Sequence, residues 1–483
     1  MPGTIGTAQG AALHTASTSA GMLMALGGSA CVASRVQSGP SVRSEVGTRC
    51  LRAPHRGASL STRRLRRMRS PGWNPTEHGA EMIACPDCGL LAEVPPLPPG
   101  ANALCRLCGA ALERTNGRSI TAALGCALGT FILLFPSHLS LLLSVSMFGL
   151  HTQTRLGSGV AMLWDHGWVV LAGLTGACAV VLPFIRFGLL SVVLGAVRLG
   201  SRPAWLGPGF RWALWLDVWA MPDVFLLGCC LGYYRLLHVK QMTMTIEAGG
   251  YCFLAAALLA LVARAALDRR AVWRAIGPDA ALPEDGETLS CTACDLVQAL
   301  ACEGRDCPRC GARLHTRKPH ALQRATAFTA AAFVLFFPAA ILPMDTTVSL
   351  GHHTARTLFT GVRAVFHAGL WPVGVLIFCA SIGIPALKII GMGWLLLSIR
   401  RRSPQHLVAT TQFYRFINAI GRWANIDPFA LAVFVPLMTF KSVASSDAAW
   451  GATAFITVVV LTLLASMSFD PRLMWDAAAR RTP

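Results

Sequence analysis

The chain has 483 residues, 54% of them hydrophobic and only 13% charged, with 42 Lys and Arg against 23 Asp and Glu for a net charge of +19. A charged fraction near half that of an ordinary soluble protein excludes a water-soluble globular domain and identifies a membrane protein. The positive excess gathers in the N-terminal extension, in short loops and midway along the chain, without aromatics interleaved on a soluble domain, so it reads as a topology signal and not as a nucleic-acid surface.

Residues 1–81 are rich in Ser, Gly, Ala and Arg, include "RRLRRMR", and show no helical or alternating apolar pattern. They read as a disordered basic extension, with an Arg-rich targeting peptide or a start at Met82 as the alternatives. Residues 82–117 follow as a ribbon in which Cys85 and Cys88 are separated by sixteen residues from Cys105 and Cys108. Four apolar runs come next within 118–275, at about 120–146, 161–196, 212–237 and 248–267, each long enough to cross roughly 30 Å of hydrocarbon at 1.5 Å per residue. Residues 286–317 repeat the ribbon, with Cys291 and Cys294 twelve residues ahead of Cys307 and Cys310, and 318–476 repeat the four runs at about 324–343, 365–399, 413–440 and 450–468.

The repetition can be checked by subtraction. Phe135-Pro136 maps to Phe337-Pro338, Gly167 to Gly369, Pro183 to Pro385, and "LDRRAVW" to "FDPRLMW", all at an offset of 202, while "WAMPDVF" maps to "WANIDPF" at 204. Two homologous modules follow. After the first run of each, "LSLLLSVSMFG" and "ILPMDTTVSLG" carry strand-type patterns, which predict a small strand pair on the outer side of the membrane. The expected fold is therefore an α-helical integral membrane protein of two modules, each a zinc ribbon followed by a four-helix bundle, with eight transmembrane helices in all.

Paired Cys-x2-Cys knuckles at these separations let four thiolates converge on one zinc ion, and Gly89, Gly109 and Gly311 follow three of the knuckles where such turns favour glycine. Cys85, Cys88, Cys105 and Cys108 form the first expected zinc site; Cys291, Cys294, Cys307 and Cys310 form the second. Four thiolates leave no open position for a hydrolytic water, so both sites read as structural. Redox dithiols are the competing reading, but the βαβ surroundings they need are absent. Free thiolates place the ribbons in a reducing compartment, and Arg198, Arg202, Arg211 and Arg400 to Arg402 fall in loops on the same side. Both termini are then cytoplasmic. Nowhere does the chain set a nucleophile beside a base or offer an open metal site, so no enzymatic activity is expected.

A charge at the bilayer centre costs about 2.5 to 3.5 kcal/mol on insertion scales and usually faces the bundle interior in a functional role. Lys388 is such a residue. Ser381 precedes it by seven positions, with Pro385 between, and Asp427 and Thr462 lie on the next two runs. These four make a candidate polar network in which Lys388 pairs with Asp427; the alternatives are a purely structural pair or a lysine that reaches the interface. In the first module Arg186 stands for Lys388 and Asp223 for Asp427, but Ala179 replaces Ser381. A permanently charged arginine suits a fixed pair, which makes the second module the expected working half.

Tandem "CPDC…CRLC" and "CTAC…CPRC" ribbons, each ahead of four apolar runs, with "PALK", "WANIDPF" and a closing "SFDPRLMWD", resemble the paraquat-inducible protein A family of inner-membrane proteins. The resemblance covers about residues 82–476. It implies a partner, a periplasmic protein of mammalian-cell-entry domains that forms a lipid tunnel, and a role in loading or extracting membrane phospholipid driven by the proton-motive force. It also implies that Ser381, Lys388, Asp427 and Thr462, with Asp223 of the first module, belong to the transport network. Two departures stand out: Ala424 replaces a small hydroxyl residue ahead of "DPF", and the basic extension is additional. A zinc- or redox-responsive membrane sensor or scaffold without transport is the alternative function.

Overall fold

The computed structural model describes residues 81–95, 97–98, 100–115, 120–147, 150–237, 242–277, 287–349, 352–401, 406–438 and 444–480. Residues 1–80 of the predicted basic extension lie outside them.

The first ribbon is two antiparallel hairpins, β1 (Glu81–Ala84) with β2 (Leu91–Val94) and β3 (Asn102–Leu104) with β4 (Ala111–Arg114), each turning through one cysteine knuckle. Then come α1 (Ile120–Leu139), the hairpin β5 (Leu143–Met147) and β6 (Leu150–Thr154), and α2 (Leu156–Asp165). The long helix α3 (Val169–Arg198) contains a π-helical stretch at Gly176–Val181. It is followed by α4 (Leu206–Leu216), α5 (Pro222–Leu237), β7 (Met242–Ile246), α6 (Ala248–Ala266) and a short α7 (Arg269–Ile276).

The second half repeats this order, except that among the described residues its second knuckle is closed by a lone Asp306–Arg313 bridge in place of a second hairpin. It runs β8 (Thr288–Ser290), β9 (Val297–Ala299), α8 (Ala321–Ile341), β10 (Asp345–Ser349), β11 (His352–Arg356), α9 (Leu358–His367) and α10 (Trp371–Arg400), the last with a π stretch at Cys379–Gly383. After it come α11 (Leu407–Ile420), a 3-10 turn at Gly421–Asn425, α12 (Ile426–Met438), β12 (Ala444–Ala448), α13 (Trp450–Ser468) and α14 (Arg472–Ala479).

Six described helices are long and apolar enough to cross a membrane: α1, α3, α6, α8, α10 and α13. The chain is a multi-pass membrane protein. The predicted runs at 212–237 and 413–440 are not single helices. Pro222, which cannot donate a backbone hydrogen bond, opens α5 after an irregular turn, and the 3-10 turn at Gly421–Asn425 separates α11 from α12. The predicted runs at 161–196 and 365–399 also divide, at Gly167 (φ 82°) and Gly369 (φ 78°), where the left-handed backbone ends a helix at little steric cost to glycine. Each π stretch sits just ahead of Pro183 or Pro385, whose missing N–H and bulky ring disturb the helical ladder there.

The predicted strand pair proves to be part of a three-stranded antiparallel sheet in each module, ordered β6-β5-β7 and β11-β10-β12. The third strand comes from the stretch just ahead of the module's last helix. In the first sheet the Ser144 hydroxyl meets Thr245 Oγ1 at 2.5 Å and donates to Glu247 at 2.7 Å, and Ser146 hydrogen-bonds Thr243.

Within each module the first and last long helices pack together, α1 on α6 and α8 on α13, and the modules meet along α5 and α12. At that crossing a Cβ on Gly228 would lie 2.9 Å from Phe429 Cβ, and the Phe225 and Phe429 rings stand 5.4 Å apart. One apolar core runs through both modules here.

The ribbons dock crosswise. The first ribbon reaches the second module: Arg415 of α11 donates to Asp87 at 2.6 Å, Arg472 donates to the Pro86 carbonyl at 3.2 Å, and Trp475 of α14 joins the ribbon's own apolar core. The second ribbon shares a core with α4 and α7 of the first module, including Leu206, Phe210 and Trp273. Arg274 at the end of α7 ties in the first ribbon through Glu81 at 2.7 Å and Glu113 at 2.6 Å. On the other side Arg317 pairs with Asp476 at 2.7 Å.

Gly207 marks the tightest of these contacts, because a Cβ there would sit 1.8 Å from the Arg309 carbonyl oxygen. Both partners are backbone and cannot swing aside. Gly207→Ala is expected to cost about 3 kcal/mol or more and to detach the second ribbon, read out as faster proteolysis between residues 278 and 320 and a lower melting temperature.

Candidate functional site

The eight predicted zinc cysteines form two sets. In each, the four sulfurs lie within 4.8 Å of one another and all four residues are buried. Sγ–Sγ distances are 3.5 Å for Cys85–Cys108, 3.6 Å for Cys88–Cys105, 3.5 Å for Cys291–Cys310 and 3.6 Å for Cys294–Cys307. A tetrahedron with 2.3 Å Zn–S bonds has edges of about 3.8 Å, so each set fits one zinc ion with little movement. In every knuckle a backbone N–H folds back onto the first cysteine's carbonyl, from Gly89, Gly109 and Gly311 at 2.8 to 2.9 Å and from Asp295 at 3.0 Å. All four donors have positive φ, so Asp295 (φ 58°) fills the turn position held elsewhere by glycine. Bound zinc would supply folding free energy; the four thiolates would hold it without an open ligand position.

The buried charges of the first module form a continuous cluster. Arg186 of α3 meets Asp217, the residue ending α4, at 2.5 Å. Arg264 of α6 spans Asp217 and Asp223 at 2.7 Å each and donates to the Ala220 carbonyl at 2.8 Å. Arg422, from the 3-10 turn of the second module, reaches both oxygens of Asp223 at 3.3 Å. Asp223 is thus held by one arginine from each module.

Three members of this cluster, Asp217, Arg264 and Arg422, were not expected from sequence. All three lie inside predicted spans, the same signal that marks Asp223, although Arg264 sits only three residues from the end of its run at about 248–267. Arg186 is 2% exposed. Asp217→Asn would remove its charge partner and leave the guanidinium uncompensated, at a cost of about 3 to 5 kcal/mol; thermal unfolding in detergent should show a clearly lowered transition.

The second module differs. Lys388 of α10 is 1% exposed and Ser381, within the π stretch, is 0% exposed. Neither the Lys388 ammonium nor the Ser381 hydroxyl has a hydrogen-bond partner among the described residues. Thr462 of α13 is buried and turns its hydroxyl back to the Val459 carbonyl at 2.8 Å. Asp427 is the second residue of α12; its side chain lies outside the described residues. The elements carrying Lys388 and Thr462 pack on each other and on the Gly421–Asn425 turn just ahead of Asp427. A buried cation with no hydrogen-bond partner among the described residues is costly to hold, and the unmatched Ser381 hydroxyl two turns earlier adds to that cost.

The family model of paraquat-inducible protein A matches residues 120–277 and again 322–479. The chain belongs to the paraquat-inducible protein A family. Both matched stretches begin just after a ribbon, and together they span the two helical halves. The intermembrane transport protein PqiA of Escherichia coli strain K12 is 28% identical over 83% of this chain and 96% of its own length. Lipophilic envelope-spanning tunnel protein A of the same strain is 27% identical over 81% of this chain and 91% of its own. A probable intermembrane transport protein of Haemophilus influenzae is 26% identical over 82% and 96%. Two of these relatives are named as transport proteins and one as a tunnel protein, and none of the three as an enzyme. No solved structure matches the chain.

Proposed function

We propose that this protein is the inner-membrane component of a phospholipid transport system linking the inner and outer membranes. It would load or extract lipid for a periplasmic mammalian-cell-entry tunnel protein. The relatives' names, intermembrane transport and envelope-spanning tunnel, support that class. The observation that carries the mechanism is the buried Lys388 ammonium with no hydrogen-bond partner among the described residues. In this reading Lys388 and Asp427 form an exchangeable pair. Protonation of Asp427 from the outer side releases Lys388, and the rearrangement around the π stretch and the Gly421–Asn425 turn opens a lateral path for a lipid. Ser381 and Thr462 supply hydroxyls to the displaced charges, and Asp223 couples the change to the first module.

The same proposal sets the topology. The broken pairs α4–α5 and α11–α12 count as the third span of each module, making eight spans. The ribbons and both termini face the cytoplasm, where thiolates stay reduced, and the two sheets face the periplasm. Residues 82–117 and 286–317 are the structural zinc ribbons, and 118–275 and 318–476 the membrane modules. Purification in mild detergent followed by mass spectrometry tests the class: bound phospholipid together with a mammalian-cell-entry protein is expected. A chain free of both, whose ribbons instead change state with zinc or oxidant, would favour the sensor.

A further inference from the structure

Superposing the repeat on the charge cluster exposes what the second module lacks. At the offset of 202, Arg186 corresponds to Lys388 and Arg264 to Ser466; at 204, Asp217 corresponds to Gly421 and Asp223 to Asp427. The backbones agree. Asp217 follows the last residue of α4 with φ −57° and ψ −31°, and Gly421 follows the last residue of α11 with φ −60° and ψ −23°. Both conformations are right-handed helical and open to any residue, so chain geometry does not call for glycine at 421.

Side-chain space does. A Cβ on Gly421 would lie 2.6 Å from Lys388 Nζ, the place where, in the first module, Asp217 meets Arg186. The second module therefore keeps the cation but has lost its local carboxylate, and with it the arginine that bridged that carboxylate to the next acid. Ser466, which stands for Arg264, only returns its hydroxyl to the Thr462 carbonyl at 3.0 Å. Of the four charged positions, the second module keeps a charge only at Lys388 and Asp427, having lost Asp217 and Arg264 as a neutral pair.

We propose that Gly421 is the positioning residue that keeps Lys388 without a fixed counter-ion, and that this loss of a carboxylate separates the working module from the static one. The inference rests on the transport reading of Lys388 given above. It makes a glycine, with no chemistry of its own, the determinant of exchange. An aspartate at 421 would rebuild the Arg186–Asp217 arrangement, hold the ammonium permanently and leave Asp427 without a partner to release.

The test compares the full chain, purified with its periplasmic partner and reconstituted, as wild type, Gly421→Asp, Gly421→Asn, Gly421→Ala and Lys388→Met. The readout is transfer of fluorescent phosphatidylethanolamine to acceptor vesicles, with zinc content and melting temperature measured on each sample. Gly421→Asp is expected to lose transfer at least tenfold with zinc and melting temperature held. The alanine and asparagine variants should keep at least half, because the atom they displace is the end of a flexible lysine. Wild-type transfer by Gly421→Asp, with Lys388→Met inactive, would overturn the role of Gly421 alone. Equal loss in all three Gly421 variants would overturn it too, by showing that space and not charge matters. Full transfer by Lys388→Met would remove the transport reading and this inference together.

Discussion

Lys388→Met is expected to abolish phospholipid transfer, with at least a tenfold drop, while the protein still inserts, binds zinc and melts no lower than wild type. Methionine is close in volume and flexibility to the lysine stem, so the surrounding helices keep their packing. What disappears is an ammonium group buried at 1% exposure with no hydrogen bond among the described residues, a group that costs several kcal/mol to hold. Holding it there costs the fold, which points to a role other than stability, and in the proposed pair Asp427 can take up a proton and stay neutral once the ammonium is gone. Asp427→Asn should match it in lost transfer, because an amide cannot take up and return a proton. The comparable change in the first module has the opposite signature. Asp217→Asn breaks a pair at 2.5 Å and should cost stability first. The two modules thus separate by which property fails.

With zinc held by both cysteine sets, as proposed, loss of one of these cysteines should be the most damaging change to the fold, and unequally so. Structural zinc contributes about 10 to 16 kcal/mol in small zinc modules, more than the roughly 5 to 15 kcal/mol that holds a whole domain together. Cys85→Ser and Cys291→Ser should each lower bound zinc from two ions per chain to one, measured by elemental analysis of the purified protein. Their consequences diverge because the ribbons are seated differently. The first has a core of its own, closed by Trp475, so its loss should leave the helices assembled. The second shares one core with Leu206, Phe210, Val272 and Trp273 of the first module. Cys291→Ser should therefore lower the melting temperature of the membrane region and its yield well below those of Cys85→Ser.

Much of the architecture could be read from local sequence. The 202-residue offset survives in space: α6 and α13 start and end at that offset, as do Gly167 and Gly369 with their left-handed backbones. The cysteine sets follow from knuckle spacing alone, because a metal tetrahedron restricts how its ligands can be arranged along a chain. Features decided by tertiary contact were not legible. The strand "ASSDA" at Ala444–Ala448 has no β-branched or aromatic residue and forms only because β10 offers it an edge. The turn at Gly421–Asn425 lies inside an apolar run, and only Pro428, in the first turn of α12, hints that a new helix starts there. Crosswise docking depends on contacts such as Arg415 with Asp87, more than three hundred positions apart, which carry no periodic signal. Asp217 was visible as an acid within a predicted span, yet its importance appears only when Arg186 is seen against it.

The proposed movement of phospholipid through Lys388 can be followed as transfer of fluorescent phosphatidylethanolamine from proteoliposomes holding the chain and its co-purified periplasmic partner. Transfer several-fold above empty vesicles is expected for wild type, and none above that background for Lys388→Met. Transfer by wild type no faster than from empty vesicles, or undiminished transfer by Lys388→Met, would contradict it.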